Sequence, residues 1–212
     1  MEATSPGSIR IALPKGRFHG PTADILEACS FGMDEYSARS RQYRVGSTVH
    51  PCISAKILQE RDISIHVSVG NYDLGICGAD WVRELKARYP LAGLIELGVL
   101  NYRDGSLFLA SSVHGSLVSL KAVTDARGVV RIASEYPSLA TRLAAQLRLR
   151  RFQVFPVWGA AEAYPPESAD MVVMWAKNER ELTAQGLIPL MKLFDVDAVL
   201  VGHKDSLARK DL

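Results

Sequence analysis

The sequence predicts an α/β protein with a parallel or mixed sheet, because short apolar strands alternate with amphipathic helices. Two turns that contain glycine stand at strand-to-helix junctions: Pro-Lys-Gly-Arg at residues 14–17 and Asp-Leu-Gly-Ile-Cys-Gly-Ala-Asp at residues 73–80. Glycine lets a backbone approach a ligand closely, and a helix N-terminus offers unpaired N–H groups to anions. Together the two turns predict a phosphate-rich ligand.

The individual elements follow from apolar patterning and turn residues. In the first part of the chain the predicted elements are a strand at 9–13, a helix at 21–29, a strand or helix at 51–58, a segment at 61–69, a strand at 73–77 and a helix at 80–88. After Gly93 they are strands at 94–100, 106–111 and 129–133, a helix at 137–149, strands at 152–157 and 169–175, a helix at 178–184 and a strand at 198–201. Because no repeat or low-complexity linker interrupts them, a two-lobed chain with short crossovers is expected.

Composition excludes several classes of function. The chain has 212 residues, of which 48% are hydrophobic and 23% charged, as is ordinary for a globular protein. A net charge of +2 without a run of basic and aromatic residues predicts no nucleic-acid partner. Cys29, Cys52 and Cys77 lack Cys-x-x-Cys spacing, which predicts neither a disulfide framework nor a metal site. A polar N-terminus and the lack of a long apolar run predict a cytoplasmic protein that does not enter a membrane.

Further motifs follow the two glycine turns in a fixed order. They are Arg-Asp-Ile-Ser at 61–64, Glu-Leu-Gly at 96–98, Arg-Ile-Ala-Ser-Glu-Tyr-Pro at 131–137, Gly-Ala-Ala-Glu-Ala-Tyr-Pro at 159–165, Ala-Asp at 169–170 and Gln-Gly-Leu at 185–187. With the block at 73–80, this order resembles the short form of the ATP phosphoribosyltransferase family, the first enzyme of histidine biosynthesis.

The resemblance implies a fold like the type II periplasmic binding proteins, with two α/β lobes and a cleft between them. The first lobe is expected to comprise residues 1–95 and 184–212, and the second residues 96–183. The implied reaction is attack by N1 of ATP on C1′ of phosphoribosyl pyrophosphate, which releases pyrophosphate with substrate-bound Mg²⁺ present. Short forms usually require a subunit that resembles histidyl-tRNA synthetase, so a homo- or hetero-oligomer is expected.

The residues that match the family's motifs are the predicted ligand contacts, and no catalytic side chain is assigned. Nucleotide contacts are predicted for Lys15, Gly16, Arg17, Gly78, Asp80 and Glu162. Phosphoribosyl contacts are predicted for Ser134, Tyr136, Lys177, Asn178 and Arg180. Simpler roles stay open: an exposed basic turn for Lys15 and Arg17, a helix N-cap for Asp80, a surface position for Glu162, and burial instead of base stacking for Trp175.

The chain departs from the family at several of these positions. Where the family has an acidic residue and then a Thr-Gly-x-Thr loop, this chain has Met174 and Asn-Glu-Arg-Glu at residues 178–181. Asn178 and Glu181 have the spacing of an N-cap and its reciprocal carboxylate, which would occupy the N–H groups that a phosphate needs. Gln59 also replaces an arginine, although Arg61 could compensate, and Gly-Ser at 105–106 replaces Cys-Arg.

Four functions are therefore considered. The first is a working ATP phosphoribosyltransferase. The second is a transferase of the same fold that uses another nucleotide, base or sugar phosphate. The third is a non-catalytic ligand-binding or regulatory paralogue. The fourth is a protein whose cleft reacts with an unrelated small molecule.

Overall fold

The structure is a computed structural model that describes residues 8–33, 35–37 and 42–210. Its strands are β1 (Ile9–Lys15), β2 (Arg44–Gly46), β3 (Ile53–Gln59), β4 (Leu74–Gly78), β5 (Leu94–Val99), β6 (Ser106–Ser112), β7 (Val130–Ser134), β8 (Phe152–Pro156), β9 (Met171–Ala176), β10 (Leu187–Asp195) and β11 (Ala198–His203). Its helices are α1 (His19–Ala28), α2 (Glu60–Ser68), α3 (Ala79–Arg88), α4 (Leu120–Asp125), α5 (Pro137–Gln146), α6 (Glu179–Ala184) and α7 (Lys204–Arg209). None of the described helices is both long and apolar enough to cross a membrane.

The chain divides into two compact units. Unit 1 comprises Met1–Tyr102 and Asp197–Leu212, and unit 2 comprises Arg103–Val196. Both boundaries lie later in the chain than the divisions at 95/96 and 183/184 that the sequence suggests. The physical reason is strand pairing, because β5 pairs with β11 inside unit 1, whereas β10 pairs with β6 inside unit 2.

Unit 1 is built on a six-stranded sheet with the order β2-β3-β1-β4-β11-β5. Strand β1 is parallel to β3 and β4, while β11 runs antiparallel to both β4 and β5. Helix α2 lies against the centre of this sheet. A Cβ atom on Gly75 would come within 2.7 Å of Ile63 and 2.9 Å of Val67, so the absence of a side chain in β4 allows this close packing. Ile63 and Val67 are fully buried in the core of unit 1.

Unit 2 is built on a five-stranded sheet with the order β10-β6-β9-β7-β8. Strand β7 is parallel to β8 and β9, and β6 is antiparallel to β9 and β10. Its core includes Phe108, Ala133, Val172, Leu182 and Leu187. The sequence prediction of an α/β protein with a mixed sheet is confirmed for both units.

Most predicted elements are present, and residues 53–59 prove to be a strand. The sequence prediction is wrong for the end of α5, which stops at Gln146 because Leu147 is its C-cap. Elements that the sequence did not predict are β2, α4, β10 and α7.

Candidate functional site

Three turns meet at one edge of the unit 1 sheet. Because β1, β3 and β4 are parallel, their carboxyl ends lie at the same edge: Lys15 is level with Gln59, and Ala12 pairs with Gly75 three residues before both strands end. Helices α2 and α3 begin directly after their strands, and α1 begins after the turn at Gly16. Ligands of open α/β sheets bind at such edges. The two glycine turns predicted from the sequence are thus brought together.

Arg17 is held between two buried carboxylates. Its Nε donates to Glu60 Oε2 at 3.0 Å, and its Nη2 lies 2.9 Å from Oδ1 and 2.7 Å from Oδ2 of Asp80. The Arg17 side chain is 15% exposed, that of Glu60 8% and that of Asp80 0%. Removing one partner of an ion pair this deeply buried strongly destabilises the folded protein, because the other charge stays buried without compensation. The guanidinium of Arg17 is therefore engaged inside the protein.

Gly78 makes room for this ion pair. A Cβ atom at this position would overlap the Asp80 carboxylate and lie 2.6 Å from Arg17 Nη2. The N-cap of α3 is Gly78, and Asp80 lies two residues later, inside the first turn of that helix. The N-cap role considered for Asp80 is therefore wrong, because its carboxylate turns to Arg17 instead.

Glu60 completes the cluster and was not predicted from the sequence. It is the first residue of α2 and only 7% exposed. Burial raises its pKa to about 7, with a further increase from the Asp80 charge, while the Arg17 charge acts in the opposite direction. A carboxyl group that titrates near neutral pH therefore lies directly beside the first turn.

Hydroxyl groups and aromatic rings pack around the end of β1 and the turn that follows it. Tyr36 donates to the Pro14 carbonyl at 2.6 Å, and the Thr22 hydroxyl lies 2.8 Å from that of Tyr102. Burial raises the pKa of Tyr102 to about 12, so both hydrogens of this pair are retained at neutral pH. The Tyr102 ring meets Phe18 edge to face, with 5.6 Å between ring centroids. The strand end is therefore rigidly supported.

Lys15 and Gly16 form the exposed part of the turn. Gly16 has a φ of +107°, a left-handed conformation that favours glycine. The Lys15 ammonium lies 5.2 Å from the centroid of the Tyr43 ring, and within the described residues it makes no ion pair. Lys15 is thus the cation of this turn that a ligand could reach.

The residues predicted in unit 2 also lie at one sheet edge. The parallel strands β7, β8 and β9 end at Ser134, Pro156 and Ala176, and Ser134 pairs with Pro156 and Val173. The segments after these strands carry the remaining predicted contacts, namely Tyr136, Glu162, Lys177, Asn178 and Arg180.

Ser134 and Tyr136 stabilise the turn between β7 and α5. The Ser134 hydroxyl donates to the Val173 carbonyl at 2.6 Å and accepts from the Tyr136 backbone N–H at 2.8 Å. Ser134 is 0% and Tyr136 2% exposed. Glu162, by contrast, is half-buried in a short 3-10 helix, Ala161–Ala163. The first two residues shape the start of α5, whereas Glu162 keeps a partly accessible carboxylate.

The first turn of α6 is capped by its own side chains. Asn178 Oδ1 accepts from the Glu181 N–H at 3.1 Å, so the predicted N-cap is confirmed. Glu181 Oε2 accepts from the Lys177 N–H at 2.6 Å, one residue earlier than the reciprocal bond predicted from the sequence. Lys177 and Arg180 are exposed on either side of this cap. Two backbone donors that could face an anion are therefore already satisfied.

Trp175 packs onto Gly105. Its indole N–H donates to the Asp104 carbonyl at 2.7 Å, and a Cβ atom on Gly105 would lie 2.6 Å from its Nε1. The neighbouring Ser106 donates to Asp195 at 2.7 Å, which links β6 to β10. The half-buried ring is thus tied to its own unit, in keeping with the packing role considered for it.

Within residues 8–33, 35–37 and 42–210, no three His, Cys, Asp or Glu side chains are clustered so as to hold a metal ion.

Two α/β units, each with turns at the carboxyl ends of parallel strands, define a fold of the type II periplasmic-binding-protein kind. The family model described as "HisG: ATP phosphoribosyltransferase" matches residues 59–212, and the chain belongs to this family.

Named relatives agree with this family. An ATP phosphoribosyltransferase of Prosthecochloris aestuarii is 26% identical over 202 residues, which cover 93% of this chain and 64% of that protein. An ATP phosphoribosyltransferase of Caldicellulosiruptor bescii is 27% identical over 206 residues, covering 95% and 92% respectively. The chain thus spans less than two thirds of the first of these relatives and nearly all of the second.

Solved structures show the same fold. The "ATP phosphoribosyl transferase (HisG:HisZ) complex from Thermotoga maritima" matches with a TM-score of 0.74 at 20% identity, covering 94% of this chain and 90% of that one. The alkanesulfonate-binding protein SsuA of Xanthomonas axonopodis, bound to MOPS, matches with a TM-score of 0.59 at 14% identity, covering 98% and 69%.

Proposed function

We propose that this chain transfers a phosphoribosyl group from phosphoribosyl pyrophosphate to N1 of ATP and releases pyrophosphate. The observation that carries the proposal is the Lys15–Gly16 turn, which is exposed at the carboxyl end of β1 and supported by the buried cluster of Arg17, Glu60 and Asp80. Family membership supplies the reaction class. Transfer of this kind depends on positioning and on stabilising charge, more than on a side chain that acts as acid or base.

The nucleotide would be bound mainly through its phosphates. Lys15 supplies a charge-assisted contact, and Gly16 allows the phosphate to approach the backbone. Arg17, Gly78 and Asp80, which the sequence predicted as direct contacts, would instead fix the shape of the turn, because Arg17 binds Asp80 in the space that Gly78 leaves. Glu162 would contact the nucleotide or its cation through its partly accessible carboxylate.

Phosphoribosyl pyrophosphate would meet a weaker site in unit 2. Lys177 and Arg180 supply positive charge, but the α6 turn satisfies its own N–H groups and carries Glu179 and Glu181. Both carboxylates repel a phosphate dianion. Ser134 and Tyr136 would contribute by shaping the turn before α5. Mg²⁺ would enter bound to the pyrophosphate oxygens of this substrate.

A regulatory partner is part of the proposal. The Thermotoga maritima protein of the same fold was solved as a HisG:HisZ complex. By analogy, this chain would work in the cytoplasm, in a hetero-oligomer with a subunit that resembles histidyl-tRNA synthetase.

Calorimetry with ATP, AMP and phosphoribosyl pyrophosphate, each titrated separately into the chain, tests the proposal. Binding of ATP or AMP with weaker binding of phosphoribosyl pyrophosphate is expected. A chain that binds none of the three, with and without the partner subunit, would not be a phosphoribosyltransferase of this kind.

A further inference from the structure

We propose that Glu60 takes up a proton from solvent when a nucleotide phosphate binds at the Lys15–Gly16 turn, so that this buried carboxylate is a positioning residue whose charge depends on the ligand. The inference rests on the proposed function, because it requires a phosphate at this turn. It adds a group whose role the family's motifs do not assign.

The geometry places Glu60 directly beneath the turn. A Cβ atom on Gly16 would lie 3.7 Å from Glu60 Oε1, while Oε2 accepts from Arg17 Nε at 3.0 Å. One oxygen of the carboxylate therefore faces the turn and the other faces the guanidinium. A phosphate that contacts the Gly16 backbone would come close to the first of these oxygens.

The charges in the cluster do not balance. One guanidinium faces two carboxylates: its Nη2 contacts both oxygens of Asp80 at 2.9 and 2.7 Å, whereas its Nε contacts Glu60 Oε2 at 3.0 Å. Glu60 also accepts a backbone hydrogen bond from Phe18. Burial of an excess negative charge is unfavourable, and the more weakly held carboxylate is the one that gains a proton. The raised pKa of Glu60, about 7, agrees with this assignment.

The titratable groups that interact electrostatically with Glu60 are Arg17 from the turn after β1, Cys77 from β4, Asp80 from α3, and Tyr36 and Tyr102 from the adjoining segments. Lys15 and His19 stand on either side of the turn at Gly16, and Arg61 and Asp62 follow Glu60 on α2. Burial raises the pKa of Tyr36, Tyr102 and Cys77 and lowers that of His19. These four groups therefore stay neutral at neutral pH, and among the groups of this set with a shifted pKa, Glu60 is the one whose pKa lies near 7.

A phosphate bound at the Lys15–Gly16 turn brings further negative charge close to Glu60 Oε1. Protonation of Glu60 at Oε1 removes the repulsion, while Oε2 still accepts from Arg17 and the Arg17–Asp80 contact is unchanged. If the phosphate raises the pKa by about one unit, binding at about pH 7.5 takes up about half a proton. The affinity for ATP should then fall by up to about tenfold as the pH rises well above the value at which Glu60 is half protonated.

Calorimetric titration of the whole chain with ATP in two buffers of different ionisation enthalpy measures this proton directly. We expect uptake that is largest near pH 7.5 and smaller at about pH 6 and about pH 9, because Glu60 is then protonated or ionised in both states. Glu60→Gln should abolish the uptake, and Asp62→Asn, a change to a carboxylate whose side chain is 44% exposed on the same helix, should retain it.

The outcomes are distinct. ATP binding in which the heat does not depend on the buffer, or net proton release at every pH, would overturn the inference and leave the proposed function intact. No binding of ATP at all would contradict both the inference and the proposed function. The pH series on the unmodified chain provides the test even if Glu60→Gln fails to fold.

Discussion

Arg17 spans both carboxylate oxygens of Asp80 with a single nitrogen, at 2.9 and 2.7 Å, across the gap that Gly78 leaves by having no side chain. The contact joins the turn after β1 to the first turn of α3, and neither partner is open to solvent to any great extent. Substitutions in this contact should therefore be measured first as changes in stability, and only then as changes in ligand binding.

The first prediction concerns Asp80→Asn. The substitution leaves the buried guanidinium facing an amide that also carries donors, so the free energy of unfolding should fall by on the order of 3 kcal/mol. Urea denaturation at neutral pH measures the change. Asp62→Asn, which alters the exposed Arg61–Asp62 pair, should change stability by less than about 0.5 kcal/mol. Equal effects of the two substitutions would mean that the buried pair is not a stabilising contact.

The second prediction concerns Lys15→Ala. Loss of one charge-assisted phosphate contact should weaken ATP binding by about 1–3 kcal/mol, with little change in stability because Lys15 is exposed. Calorimetry with ATP supplies the measurement. Lys204→Ala, at the exposed start of α7, removes the same charge from unit 1 and should leave affinity unchanged. Unaltered binding in Lys15→Ala would rule out this turn as the phosphate site.

The third prediction is a pH dependence of stability that arises from Glu60. Its folded pKa of about 7 lies above the usual value of 4.5, so between these values the native state holds a proton that the unfolded state has lost. Stability therefore decreases as pH rises through this window, and the decrease is complete above about pH 7. Relative to Glu60→Gln, the unmodified chain should lose about 1–3 kcal/mol between pH 5 and 8. Parallel denaturation curves for the two proteins over this range would contradict the assignment.

The fourth prediction concerns the α6 turn. A triple variant, Asn178→Thr, Glu179→Gly and Glu181→Thr, restores the family's Thr-Gly-x-Thr loop, removes two carboxylates and frees the Lys177 N–H. Affinity for phosphoribosyl pyrophosphate should rise by about 1 kcal/mol or more, which corresponds to at least about fivefold. As a control, Asp125→Asn with Glu167→Gln removes two exposed carboxylates elsewhere in unit 2. No gain from the triple variant would show that the cap does not limit binding.

The fifth prediction concerns turnover. The isolated chain should form phosphoribosyl-ATP weakly, for two separable reasons: the self-capped α6 turn and the missing regulatory subunit. Adding the subunit that resembles histidyl-tRNA synthetase from the same source should raise the rate if the partner is the main cause. Strong turnover by the chain alone would indicate that neither requirement holds.

Strong local patterns allowed much of the fold to be predicted from the sequence. The apolar strands β1, β4 and β9 are short and sharply bounded, and the parallel pairing of β1 with β4 and of β7 with β9 follows from the helices between the partners. Strand β10 was not predicted because its pairing with β6 shifts register between Pro189 and Met191 and again between Lys192 and Phe194. Such irregularities break the two-residue alternation by which a strand is recognised.

The residues of the candidate site whose roles are local were predicted from the sequence, whereas Glu60 was not. Gly16, Gly78 and Asn178 have local roles that follow from backbone conformation and capping, and these can be inferred from neighbouring residues. Glu60 stands in the charged run Gln-Glu-Arg-Asp at residues 59–62, which is typical of an exposed helix start. Its burial depends on the turn at Gly16, far away in the sequence, so the clue lay in tertiary structure alone.

Strand β11 sets the order in which the chain can be completed. It lies between β4 and β5 and pairs with both, so β5 joins the sheet of unit 1 only through a strand that comes after all of unit 2. During synthesis, unit 2 can therefore form on a nascent chain whose first sheet still has an open position beside β4. Unit 1 is then completed only when residues up to His203 have left the ribosome. In a chain truncated before Ala198, the edges of β4 and β5 that β11 covers would stay exposed and would favour aggregation.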